Sequence, residues 1–181
     1  MLQIIDKVDR LEKLLRDLEN RITNFSQIFQ IVSELNNKEK PDERIDDMIA
    51  ELRGAWLLNN KGYTDIVYQK KDYDFSCQKK STKYAVEVKF IRGPDFKRQE
   101  KTGSNLAYNL NSDAELNKLN EKINEAFFQL RKHYRKIVII VTNNLELDKF
   151  WFGDDIENFR KQMGKQHQSK IFIVTNGDIY G

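Results

Sequence analysis

The sequence predicts a mixed α/β domain preceded by a long amphipathic helix, and three observations carry that expectation. Residues 63–68, 73–77 and 83–90 are short stretches rich in Tyr, Val, Phe and Ile, separated by polar turns, the pattern of an antiparallel meander. A helical stripe over 116–134 then leads into the uninterrupted apolar run 137–142, as expected of a strand buried on both faces. Ahead of these, apolar residues fall in a four-three alternation over about four heptads.

That seam comprises Ile4, Val8, Leu11, Leu15, Leu18, Ile22, Phe25, Phe29 and Val32. Leu14, Ile28 and Ile31 widen it, so the helix can pair with a copy of itself or lie on a globular body. The expected organisation is a coiled-coil-like helix over 1–40 and a domain over 41–181, with a homodimer formed through the helix. Pro41-Asp42 opens a second helix, with acids in its first turn suiting the helix dipole. Ile45, Met48, Ile49, Leu52 and Trp56 form its apolar face, and Glu51 lies on the flank, where a glutamate is ordinarily rim surface. Lys61-Gly62 ends the helix, because glycine is favoured just past a C-terminus.

The three meander strands follow. Residues 91–113 then form a long polar stretch with Arg92, Lys97, Arg98 and Lys101 among aromatic residues, a composition suited to contacts with a nucleic-acid backbone. The stripe from Leu116 to Tyr134 becomes basic at its end, where Arg131, Lys132, Arg135 and Lys136 either complement the helix dipole or touch nucleic acid. Asn143-Asn144 closes the buried strand, 154–163 suits a short helix, and Trp151 and Phe152 read as core. Residues 171–175 and 178–180 flank Asn176-Gly177 as a terminal hairpin.

The bulk properties narrow the chemistry. The chain has 181 residues, a net charge of +3 and 33% charged residues, so its ionic surface is arranged in local patches. One cysteine excludes an internal disulfide, and with two histidines the usual four-ligand zinc site is out of reach. Oxygen ligands for a hard cation remain. No stretch approaches the ~20 apolar residues of a membrane span, and the start lacks the shape of a secretory signal, so the expected setting is cytoplasmic. Nucleophile elbows, dinucleotide turns and phosphate loops are missing.

What stands out is Asp74, followed after 12 intervening residues by Glu87-Val88-Lys89. Strand alternation puts Ala85, Glu87 and Lys89 on one face and Tyr84, Val86, Val88 and Phe90 on the other. Taken alone, this is a strand with one solvated, charged face. With Asp74 on the neighbouring strand, two carboxylates can hold a divalent metal, and a lysine beside them can orient or deprotonate water and meet the anionic transition state of phosphodiester hydrolysis.

At Tyr73-Asp74 and Glu87-Val88-Lys89 the chain resembles the PD-(D/E)xK nuclease superfamily, whose fold is that of type II restriction endonucleases. The order helix, three-strand meander, helix, strand agrees with that core, although Tyr73 stands where the family has proline. The resemblance implies that Asp74 and Glu87 bind metal together with the main-chain carbonyl of Val88, and that Lys89 is the catalytic lysine. It also gives roles to Glu51, as the acid of the first helix, and Gln129, as the glutamine of the following one. The implied cofactor is magnesium (Mg2+), with manganese (Mn2+) as a substitute, and the implied activity is DNA cleavage of the restriction type. An RNA-cleaving or repair nuclease of the same fold, and a non-catalytic nucleic-acid-binding or assembly module, are the alternatives.

Overall fold

Pro41 begins α1 (Pro41–Asn60), and residues spaced by three and four along it, Ile45, Met48, Leu52 and Ala55, are buried. The computed structural model describes residues 13–16, 18–19, 41–69, 71–91, 112–142, 149–167, 169–174 and 179–180. The helix stops in a double turn of hydrogen bonds: Gly62 N–H donates to the Asn59 carbonyl at 2.9 Å and Tyr63 N–H to the Leu58 carbonyl at 3.0 Å. Gly62, at φ +75°, supplies the left-handed residue this ending requires.

The strands are β1 (Thr64–Tyr68), β2 (Phe75–Lys79), β3 (Thr82–Ile91), β4 (Lys136–Thr142), β5 (Lys170–Val174) and β6 (Ile179–Tyr180). Among the described residues they form one sheet in the order β1-β2-β3-β4-β5-β6. β1, β2 and β3 pair antiparallel, β4 and β5 continue parallel to β3, and β6 returns antiparallel. Between β3 and β4 lie α2 (Ser112–Gln129) and a 3-10 turn (Leu130–Lys132), and α3 (Lys149–Gln166) precedes β5. The predicted mixed α/β class, the meander and the terminal hairpin are therefore present.

Both faces of the sheet are covered. On one, α1 packs over Val86, Val88, Ile137 and Ile139, and on the other, Leu119, Ile123 and Ala126 of α2 meet Ala85, Val138 and Ile140. The parity of β3 thus sends Val86 and Val88 towards α1, and Ala85 and Ile91 towards α2. Leu15 and Leu18, in the described part of segment 1–40, are buried in the α1-side core with Ile45 and Met48.

Several boundaries differ from the sequence reading. β2 starts at Phe75, so Asp74 stands just ahead of the strand and does not open it. α3 runs from Lys149, through the Gly153 and Asp154 region where an N-terminus was expected. Tyr134 lies beyond α2 and is 83% exposed, not part of its apolar stripe, because the helix tightens into a 3-10 turn and ends at Lys132. The side chains of Trp151 and Phe152, and most of 91–113, lie outside the described residues.

Candidate active site

β3 is longer than the strand it pairs with. The ladder to β2 begins at the pair Phe75 and Val86, and Asp74 N–H extends it by donating to the Val86 carbonyl at 3.1 Å. Beyond that point Val88 has no β2 residue opposite it. The Asp74 carboxylate takes that place: Val88 N–H donates to its Oδ2 at 2.7 Å. In a strand the N–H and C=O of one residue point the same way, so the Val88 carbonyl also faces the Asp74 side of the sheet. The chain reaches this position through Asp72, whose φ of 73° is a left-handed turn that aspartate tolerates better than most residues. Gln69 N–H then donates to the Asp74 carbonyl at 2.8 Å and closes the loop.

Glu87 is only 3% exposed. This overturns the solvated-face reading of β3, because the parallel pairing with β4 makes β3 an interior strand covered by helices on both sides. Lys89 Nζ donates to Glu87 Oε1 at 2.8 Å, one strand period further along the same face. Among the described residues Glu87 Oε2 is buried without a hydrogen-bond partner. A buried carboxylate oxygen with no donor is costly, and a cation is one way to offset that cost.

The electrostatics agree with a site short of positive charge. Asp74 has its pKa raised well above the ordinary carboxylate range by burial first, then by the carboxylates of Glu51 and Glu87, against the opposing pull of the Val88 N–H and Lys89. Glu87 is likewise pushed up by burial, opposed by Lys89 and more weakly by the nearby Asp74 N–H, whose hydrogen bond goes to the Val86 carbonyl. One cavity of about 710 Å3 is lined by Glu51, Asp74, Glu87, Val88, Lys89 and Gln129, bringing together residues from α1, the β2 approach, β3 and α2. Among the described residues no group of three or more His, Cys, Asp and Glu side chains forms a cation cage. Two carboxylates, Asp74 and Glu87, and the Val88 carbonyl are the oxygens that could hold a hard cation such as magnesium, which keeps several waters.

Other predicted residues fall elsewhere. Arg131 and Lys132 line a separate hollow of about 440 Å3 with Tyr134 and Lys136. Arg92, Lys97, Arg98 and Lys101 lie outside the described residues. Sequence reasoning missed Asp47, Lys118, Glu121, Lys122 and Glu125, which also line the site cavity. Their signal was spacing: Asp47 is one turn before Glu51, and 118, 121, 122 and 125 share a helical face with Gln129. Comparison of the chain with protein families, curated proteins and solved structures finds no match.

Proposed function

We propose that the chain is a magnesium-dependent nuclease with a restriction-endonuclease-like core, hydrolysing phosphodiester bonds of DNA. The observation that carries this reading is the meeting of Asp74, Glu87 and Lys89 in one cavity, with Glu87 Oε2 buried and, among the described residues, unpartnered. Asp74, Glu87 and the Val88 carbonyl would hold the cation, which when bound would neutralise phosphate oxygens and lower the pKa of an attacking water. Lys89 is positioned by Glu87 Oε1. An ammonium has three donors, so that bond leaves N–H groups to meet charge developing on the phosphate. Glu51 adds negative charge near Asp74, and Gln129 offers an amide at the cavity wall for the substrate backbone or the attacking water.

Incubation of purified protein with plasmid DNA and magnesium or manganese tests this directly. Cleavage is expected with either metal, none with EDTA, and a loss of at least about a hundredfold in Asp74→Ala and Lys89→Ala, the scale of removing a charge-stabilising group. Metal-dependent cutting that persists in both variants would sink the site. Parallel digestion of RNA, single-stranded DNA and duplex DNA fixes the sugar and strandedness.

A further inference from the structure

The two ends of the sheet differ sharply in the charge of the residues that line them. β2 runs antiparallel to β3 while β4 and β5 run parallel to it, so the last residue of β2, Lys79, and the first of β4 and β5, Lys136 and Lys170, fall near the start of β3. Lys89 lies four residues on from Ala85, the partner of Lys136, or roughly 13 Å along the strand. At this opposite end a cavity of about 650 Å3 is lined by eight Lys or Arg residues and, among the described residues, by no Asp or Glu. The Asp74 cavity is the reverse, with six acids and three lysines. A net charge of only +3 is thus sorted sharply between the two ends.

The cations are fixed by their surroundings. Lys170 Nζ donates to the Tyr63 hydroxyl at 3.0 Å and sits 5.1 Å from the Tyr84 ring centre. Lys79 Nζ donates to the Lys61 carbonyl at 2.6 Å and lies 4.9 Å from the Tyr63 ring. Glu157, at 2.6 Å from Arg160 and 3.4 Å from Lys161, compensates one of those two charges, so most of the surplus comes from Lys79, Arg135, Lys136, Lys165 and Lys170. Like charges gathered around one cavity repel, and a bound polyanion offsets that repulsion.

The shape of the basic surface selects the kind of polyanion. Lys136 is shared with the neighbouring hollow that contains Arg131 and Lys132, so the positive surface continues past the first cavity. Aromatic rings stand along it: Tyr134, 83% exposed, has the Arg135 guanidinium 5.0 Å from its ring, and Phe128, 66% exposed, has that of Arg131 at 4.1 Å. An extended chain of phosphates carrying flat groups fits this better than a compact one. We propose that this surface binds the sugar–phosphate backbone of a single nucleic-acid strand, outside the Asp74 cavity, with unpaired bases stacking on Tyr134 and Phe128. Only the choice of nucleic acid leans on the nuclease reading, under which this surface supplies affinity that a cavity rich in carboxylates lacks.

The test is binding of a fluorescein-labelled oligothymidylate of about 20 nucleotides, a length that covers several stacking positions, followed by anisotropy in EDTA. Without divalent metal, binding is read independently of cleavage. Lys136→Gln, Lys165→Gln and Lys170→Gln combined are expected to weaken binding at least about tenfold and to reduce the log–log salt slope by about 2, at roughly 0.7 per phosphate contact. Tyr134→Ala is expected to weaken binding without changing the slope. In the wild-type protein the oligonucleotide should shield Lys136, Lys165 and Lys170 from acetylation, read by mass spectrometry, which does not depend on how a variant folds. Unchanged affinity and slope in the combined variant, or unprotected lysines, would overturn the proposal whether or not the protein cuts DNA. Displacement by tripolyphosphate at equal phosphate concentration would overturn the choice of nucleic acid, and equal affinity for a duplex the choice of a single strand.

Discussion

Asp74 accepts the Val88 N–H at 2.7 Å, yet burial and the neighbouring carboxylates of Glu51 and Glu87 push its pKa well above the ordinary range. A carboxyl group that holds its proton more tightly folded than unfolded stabilises the fold fully below its unfolded pKa, about 3.9 for aspartate. That stability is lost as pH rises through the folded value. Glu87, also raised, acts in the same sense. His167 acts in the opposite one, because burial and Lys136 lower its pKa from 6.5, so its contribution is gained as pH rises through that region. Glu157, drawn down to about 2 by its hydrogen bond from Arg160, titrates below this window. Comparing Asp74→Asn with the wild type cancels groups remote from the site, such as His167 and Glu157, while relieving Glu51 and Glu87 of the Asp74 charge acts in the same direction as removing it. An asparagine oxygen still accepts the Val88 N–H, so the variant is expected to be more stable in EDTA at about pH 8, with a smaller loss of stability on going from about pH 5 to about pH 8. Thermal melting reads both effects, and a variant that melts earlier than wild type at about pH 8 would show that the carboxylate contributes more as an acceptor than it costs as a buried charge.

At the level of elements, the site depends on how closely α1 approaches β3. A Cβ added at Gly54 would lie 2.8 Å from Val88 Cγ2 and 3.5 Å from Ile139 Cδ1. Valine is stiff at χ1 and cannot swing aside as a long side chain would. Gly54→Ala gains about 1 kcal/mol of helix propensity but meets overpacking that typically costs about 1–3 kcal/mol. The expected net is a loss of about 1 kcal/mol and, under the proposed nuclease activity, reduced cleavage, because α1 carries Glu51 and the displaced Val88 lies between Glu87 and Lys89. Denaturant unfolding checks the sign; a stabilised variant would mean that α1 can move away from β3 freely. The sequence showed the apolar periodicity of α1 and the Glu87-Val88-Lys89 strand, because these depend on local spacing. It did not show this close approach, because nothing around Gly54 in the chain reports that Val88 faces it. The position of Asp74 was similarly hidden: a side chain, not a strand residue, completes the ladder at Val88, and residue patterns describe strands better than they describe the places where strands stop.

For the whole molecule, the most separated parts of the sequence meet in the α1-side core and at the two ends of the sheet. The basic cavity draws on Lys79, Lys136 and Lys170, far apart in the chain, and becomes a cluster only once the strand directions are known. The apolar seam of residues 4–32 left two partners open, a second copy or the chain's own domain. Leu18 is 0% exposed within a single chain and shares its core cluster with Ile45 and Met48 of α1. A leucine buried against its own domain contributes to unfolding free energy in a way that does not depend on protein concentration, whereas one buried between copies makes the melting temperature rise with concentration. Leu18→Ala is therefore expected to lower stability by about 2–4 kcal/mol, the range of a buried leucine truncation, and by the same amount in dilute and concentrated samples. Melting curves of both proteins across a wide concentration range decide the matter. If the wild-type transition climbs with concentration and the variant abolishes that climb, the seam at Leu18 lies between chains, and the residues that bury it here belong to a dimer interface.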